Sequence, residues 1–315
     1  MSVQLICASH SPLMLTDIEE SEEGEQRRFF ETVDQAANTL QEFGPDLVVA
    51  FCPDHFNGFF YDLMPSWCIG TAAVGTKDWG IPGGPLRVPR QLAMDCARHM
   101  HRHDFDTAIS HDMKVDHGLT VPLIQLTGAL ARYDVLPIFI NCAADPRPSF
   151  RRSRLFGAEV GRFLAGQREM KFTIIGSGGL SHDPPTPRLE RSPASVARRL
   201  IERSVPTQDE LEAREARVVQ AARDMVKRKG PCLPPNADWD EGFLDAITSF
   251  DTDRLDAITD AEVDQVAGFG AHEVRTWVAA MAAARELAPV KAKVDYYHII
   301  PEWITGMGVI SASAS

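Results

Sequence analysis

The chain has 315 residues, 44% of them hydrophobic, which is enough for one large core or two modest ones. Its formal net charge of −12 disfavours nucleic acid and anionic membrane surfaces, since both are polyanions, and an anionic small molecule would need a local positive centre to bind. The N-terminal MSVQLICASHSP has no basic stretch followed by an apolar run, and no segment reaches the ~20 apolar residues of a membrane-spanning helix, so a cytoplasmic protein is expected.

Residues 4–8 read as a short strand. Residues 27–43 read as a helix with Phe29, Phe30, Val33, Ala37 and Leu40 on one face and Gly44-Pro45 as its stop. Residues 46–52 are a continuous apolar run of strand length, as a buried parallel strand would be. A helix follows over 89–103, striped by Leu92, Ala93, Cys96, Ala97 and Met100, and then a short strand candidate over 107–110. Residues 121–132 read as a helix with Pro122 in its first turn, 135–141 as a strand, and 150–165 as a helix capped by Ser149. Residues 171–176 are another buried-strand run. After Pro187 the pattern turns helical. Ser192 caps a helix with Pro193 in its first turn, and Thr207 to Glu210 form a capping box for a helix reaching Gly230-Pro231. Residues 260–267 form a short helix ending at Gly268, 271–287 a longer one, and the aromatic, glycine-rich tail at 295–310 is a late strand or a loop. This alternation predicts an α/β fold. A mostly parallel central sheet carries helices on both faces, and a helical cap completes one catalytic domain of 1–187 core, 188–290 mainly helical and 291–315 tail.

Four histidines share one context. His10, His55 and His182 each lie just past a predicted strand, and His117 lies beyond the 107–110 candidate. In an open α/β sheet, ligands bind in the crevice outside the carboxyl ends of the strands. Two neutral imidazoles and one carboxylate on one face of an octahedron leave three positions free, the signature of non-haem iron(II) oxygenases. A catechol fills two of these with its vicinal oxygens and dioxygen the third. Glu273, at the start of the 271–287 helix, is the carboxylate candidate, though it is one among 44 acidic residues. Hydrolysis at zinc held by two histidines and a glutamate is the competing enzymatic reading. A binding protein without turnover is the reading from another class.

The segments ASHSPL, PDHFNGFFYDLMP, VDHGLTVPL, GSGGLSH, AHEVRTWVAA and IPEWITGMG, in this order, resemble the class III extradiol dioxygenases over nearly the whole chain. The segment between Pro187 and Gly270 matches less distinctively. The resemblance implies an α/β/α sandwich, a homo-oligomer, Fe(2+) ligation by His10, His55 and Glu273, and non-ligand catalytic roles for His117 and His182. Its expected partners are O2 and a catechol with a three-carbon carboxylate side chain, such as 2,3-dihydroxyphenylpropionate or its cinnamate analogue. His182 is then the expected base and His117 the acid, since an unperturbed histidine pKa of about 6.5 suits proton exchange near neutrality.

Plainer readings stand beside these. Each strand-end histidine also suits a turn satisfied by backbone, and Glu273 suits a solvated helix N-terminus. Asp54 and Asp116 either orient the adjacent imidazoles or form turns. His272 either orients Glu273 or belongs only to the helix start. His99, His101 and His103 read as a helix C-terminal turn in preference to a surface chelate. Trp303 and Tyr297 either line the pocket or pack in the core. GSGGLSH lacks the lysine of a phosphate loop, and its glycines suit a tight turn over the site. The six cysteines are scattered without a C-x-x-C pair and suit a reduced cytosol.

Overall fold

The computed structural model describes residues 2–18, 24–203 and 206–314. In chain order the strands are β1 (Val3–Ala8), β2 (Leu47–Cys52), β3 (Trp67–Gly70), β4 (Ala73–Gly75), β5 (Gly84–Pro85) and β6 (Ala108–Ser110). They continue with β7 (Met113–Val115), β8 (Val135–Ile140), β9 (Phe172–Ser177), β10 (Val290–Ile300) and β11 (Thr305–Ala314). The helices are α1 (Glu25–Phe43), α2 (Arg90–Arg102), α3 (His117–Thr127), α4 (Phe150–Ala165) and α5 (Ala194–Ile201). After these come α6 (Gln208–Val226), α7 (Ala237–Ser249), α8 (Thr252–Ala257), the single turn α9 (Asp260–Glu262) and α10 (Val274–Leu287).

Eight strands form one sheet in the order β10-β11-β1-β9-β2-β8-β3-β6. Its centre, β1-β9-β2-β8, is parallel throughout. Each of these four strands is buried along all six of its residues; β2 and β8 are apolar throughout, whereas β1 buries Gln4 and β9 buries Thr173 and Ser177. The register pairs Ala8 with Ser177 and Phe51 with Gly176, so β1, β9 and β2 end side by side. The chain leaving those ends carries His10, His182 and His55.

Helices α2, α4, α7 and α10 cover one face of the sheet, through Met100, Phe156, Phe243 and Trp277 among others. Helices α1, α3 and α6 cover the other, through Phe29, Leu119 and Ala222. The stretch beyond residue 187 therefore supplies both layers. In particular, α10 lies directly over β1, β2 and β9, against α4. Two glycines of α4 make that contact possible. A Cβ on Gly157 would lie 2.1 Å from the carbonyl oxygen of Ala279, and one on Gly161 2.5 Å from that of Ala283.

Several elements differ from their sequence reading. Helix α3 begins at His117, not residue 121, because Asp116 caps it by accepting from the Gly118 N–H; Pro122 then sits inside the helix. Pro193, not Ser192, is the N-cap of α5. Helix α6 keeps its capping box but stops at Val226, ahead of Arg228, which takes a left-handed conformation at φ 53°. The 295–310 tail is a long antiparallel hairpin, β10–β11, laid against β1. Strand β3 runs antiparallel to β8, and β5-β4-β7 form a second small sheet. All six cysteines are unpaired. Among the described residues no helix is long and apolar enough to cross a membrane.

The α4–α10 contact predicts an asymmetry between glycines. Gly157→Val should lower stability by about 1–3 kcal/mol or more, as overpacking does. Gly242→Ala, where a Cβ meets only the end of Arg254 at 4.0 Å, should be neutral or stabilising. Thermal unfolding followed by circular dichroism reads both.

Candidate active site

The five expected residues converge on one buried pocket. It is lined by His10, His55, His117, His182 and Glu273, with Trp79, Pro184 and Trp303 among its walls. Glu273 ends the 3-10 turn Phe269–Glu273 that leads into α10, and it is the hub. Its Oε1 lies 2.9 Å from His55 Nε2 and 3.7 Å from His182 Nε2. Its Oε2 lies 3.7 Å from His10 Nε2 and accepts the Gly179 N–H at 2.9 Å. His117 stacks on His55 with ring centres 4.1 Å apart. The facing nitrogens of His10, His55 and His117 lie within 4.8 Å of one another.

The second nitrogen of every imidazole is already engaged, and this fixes what the first can do. His182 Nδ1 is 2.7 Å from the Leu180 carbonyl, which only accepts, so Nδ1 carries the proton. Ser177 Oγ donates to the Gly118 carbonyl and therefore accepts from His10 Nδ1–H at 2.9 Å. His55 Nδ1–H donates to Asp116 at 3.1 Å, and His117 Nδ1–H donates to Asp78. For a neutral ring this leaves Nε2 as an acceptor. Acceptor nitrogens and a carboxylate thus face one another, a set whose common partner is a positive charge.

Electrostatics point the same way. Burial holds His10 down to about 3, against the pull of Glu273, so it stays neutral. Burial opposes charge on Glu273 as well, but His10, His182 and His55 hold it well below the usual carboxylate range. Burial also resists a proton on His55, yet Asp116 and Glu273 together raise it well above its ordinary value. The pocket therefore favours a cation between His55 and Glu273, and a divalent metal ion fits that donor set.

Asp116 is the orienting group of the two aspartates. It accepts from His55 Nδ1, from the His55 backbone N–H and from Asn57. Asp54 forms the turn, accepting the backbone N–H groups of Asn57, Gly58 and Phe59. His272 is tied to Asp264 and to the buried Arg275, so it braces the start of α10. His103 Nδ1 donates to the carbonyl of His99, and His99 meets Glu159, which Arg162 already holds. His99, His103 and Glu159 lie close enough to hold a metal ion, and at this helix end they already satisfy one another and nearby groups. Trp303 lines the pocket, whereas Tyr297 donates to Asp240, which in turn fixes Ser181 beside His182.

Sequence reading missed several supporting groups. Asp78 holds His117 from outside every segment singled out above, and Ser177, within GSGGLSH, holds His10. Arg214 of α6 donates to the His55 carbonyl and to Asn57 Oδ1, and Glu215 accepts the Trp79 N–H. Gly270 is present for space, since a Cβ there would fall 2.1 Å from His182 Nε2. Gly178 gives Glu273 similar room, with a Cβ only 2.7 Å from that of Glu273.

Comparison with known proteins finds relatives over nearly the whole chain. Residues 4–308 match the family described as the catalytic LigB subunit of aromatic ring-opening dioxygenase. The chain is 43% identical to the 2,3-dihydroxyphenylpropionate/2,3-dihydroxicinnamic acid 1,2-dioxygenase of Cupriavidus pinatubonensis, covering 99% of this chain and 98% of that one. It is 44% identical to the protein of the same name from Cupriavidus necator, with the same coverage. It is 43% identical to that of Mycolicibacterium gilvum, over 98% of each chain.

The hydrogen bonds behind the rings predict separable effects. Ser177→Ala frees His10 Nδ1 and should weaken divalent metal binding about 10–100-fold, read by competition with a chelating dye. Gly270→Ala displaces the His182 ring and should leave that affinity within a few-fold.

Proposed function

The chain belongs to the family of catalytic LigB subunits of aromatic ring-opening dioxygenases, and from that premise we propose how it works. A ferrous ion held by His10, His55 and Glu273 serves extradiol cleavage of a catechol, with His182 as base and His117 as acid. The substrate is a catechol with a three-carbon carboxylate side chain, 2,3-dihydroxyphenylpropionate or its cinnamate analogue, in keeping with the names of the relatives. The product is a 2-hydroxy-6-oxo-dienedioate. One observation carries this reading: Glu273 meets two histidines whose Nδ1 atoms are both committed elsewhere, so that their Nε2 lone pairs and the carboxylate share one centre.

When bound, the ferrous ion supplies positive charge that favours the catecholate form and a route for electrons between ring and dioxygen. The remaining work falls to the protein. His182, anchored through Nδ1 on the Leu180 carbonyl, takes a catechol hydroxyl proton at Nε2. His117, anchored through Nδ1 on Asp78, would first accept a substrate-derived proton at Nε2, the Asp78 carboxylate balancing the imidazolium, and return it as the ring opens. The Asp78 carboxylate fixes the tautomer and orientation of that ring. Leu13, Trp79, Trp303 and Ile304 form apolar walls that limit water around the ring. A reducing cytoplasm suits six cysteines that are all unpaired.

Oxygen uptake and yellow product on adding 2,3-dihydroxyphenylpropionate to anaerobically iron-reconstituted protein test the activity. Elemental analysis showing zinc with hydrolytic turnover would contradict it. Substitutions divide the site further. His117→Ala and His182→Ala should retain iron and lose about 10²–10⁴-fold in turnover. His10→Ala and His55→Ala should lose the iron itself. Loss of iron from His182→Ala with retention in His10→Ala would overturn the assignment of roles.

A further inference from the structure

The histidine–glutamate end of the pocket accounts for a diol but not for an anionic side chain, and the protein is strongly acidic overall. We infer that Arg217 is the residue that recognises the substrate carboxylate, so that the pocket is specific for catechols bearing an anionic side chain; this rests on the catechol reading above. Two guanidinium groups, Arg214 and Arg217, are the only lysine or arginine side chains among the described residues lining the pocket. They differ in what they already hold. Arg214 is half-buried and committed to the His55 carbonyl and to Asn57, so it braces the metal end. Arg217 lines the same pocket and is exposed, and it makes no hydrogen bond or ion pair with any described residue.

Position on α6 links the two. Residues three apart on a helix share a face, with Cβ atoms about 5–6 Å apart. Since Arg214 reaches the backbone of His55, Arg217 lies about one turn farther along the same wall. Val218 beside it, with Pro184, Trp303 and Ile304, gives that stretch an apolar lining suited to a ring edge and methylene groups. A chain of three carbon–carbon bonds spans roughly 4 Å, comparable to that step along the helix. A guanidinium offers paired N–H donors that match a carboxylate, and Arg217 has no bond to another described residue to break before binding it.

Steady-state kinetics on two substrates test this. The probes are 2,3-dihydroxyphenylpropionate and the uncharged 3-methylcatechol, used on iron-loaded wild type, Arg217→Gln and Arg217→Lys. Because Arg217 is exposed and holds no other residue, neither variant should alter folding or iron content. For Arg217→Gln the account expects kcat/KM on the anionic substrate to fall about 10–100-fold, mostly through KM. It expects kinetics on 3-methylcatechol within a few-fold of wild type and partial recovery by Arg217→Lys. Equal losses on both substrates, or no loss on either, overturn the inference while leaving ring cleavage intact. Failure of wild type to open either catechol is a different result, and it overturns the catechol reading together with this inference.

Discussion

The site depends on one buried carboxylate. Glu273 is only 6% exposed, and its two oxygens face three imidazoles and a backbone N–H. A buried carboxylate is costly unless paired with positive charge. The histidines cannot all supply that charge, because burial keeps His10 neutral. Against the cost of burial, Asp116 and Glu273 raise His55, so that imidazolium or a bound cation can balance the carboxylate. Asp116, Ser177, Asp78 and the Leu180 carbonyl fix the outward nitrogens and thereby decide what the inward ones offer.

The fold makes this meeting possible. Parallel strands β1, β9 and β2 end in register, which brings chain segments far apart in sequence to one crevice. Helix α10 completes it from the far end of the sequence by packing over the same strands, with α4 glycines allowing close approach. The loop that carries His182 is pinned on two sides. Leu180 N–H donates to the Gly306 carbonyl, and Gly270 N–H donates to the His182 carbonyl. Helix α6 then adds Arg214, Arg217 and Val218 to the pocket wall. It touches the backbone of His55 through Arg214 and the Trp79 backbone N–H through Glu215, so this wall of the pocket is tied to the histidine cluster.

Much of this was legible in the sequence because burial and chemistry leave local traces. The apolar runs at β2, β8 and β9, the Ser149 cap of α4 and the Thr207 capping box of α6 are written within a few residues. The histidines stood out because each follows a strand end or a short motif. Asp78, Ser177 and Gly270 did not stand out, since each matters only through a partner at least 39 residues away. The start of α3 reads late because Pro122, which suits a first turn, lies inside the helix. Asp116 serves both as helix cap and as the anchor of His55, and only the second role is long-range. The tail shows no clear period because β10 is a partly buried edge strand while β11, paired on both sides, is buried along most of its length.

Anomalous diffraction at the iron absorption edge, on crystals grown anaerobically with ferrous ion, locates the metal. The account predicts one peak within bonding distance of His10 Nε2, His55 Nε2 and the Glu273 carboxylate, with His117 and His182 outside that shell. A peak bound by His117 in place of Glu273, or a site that takes no iron while these residues keep their positions, would contradict it.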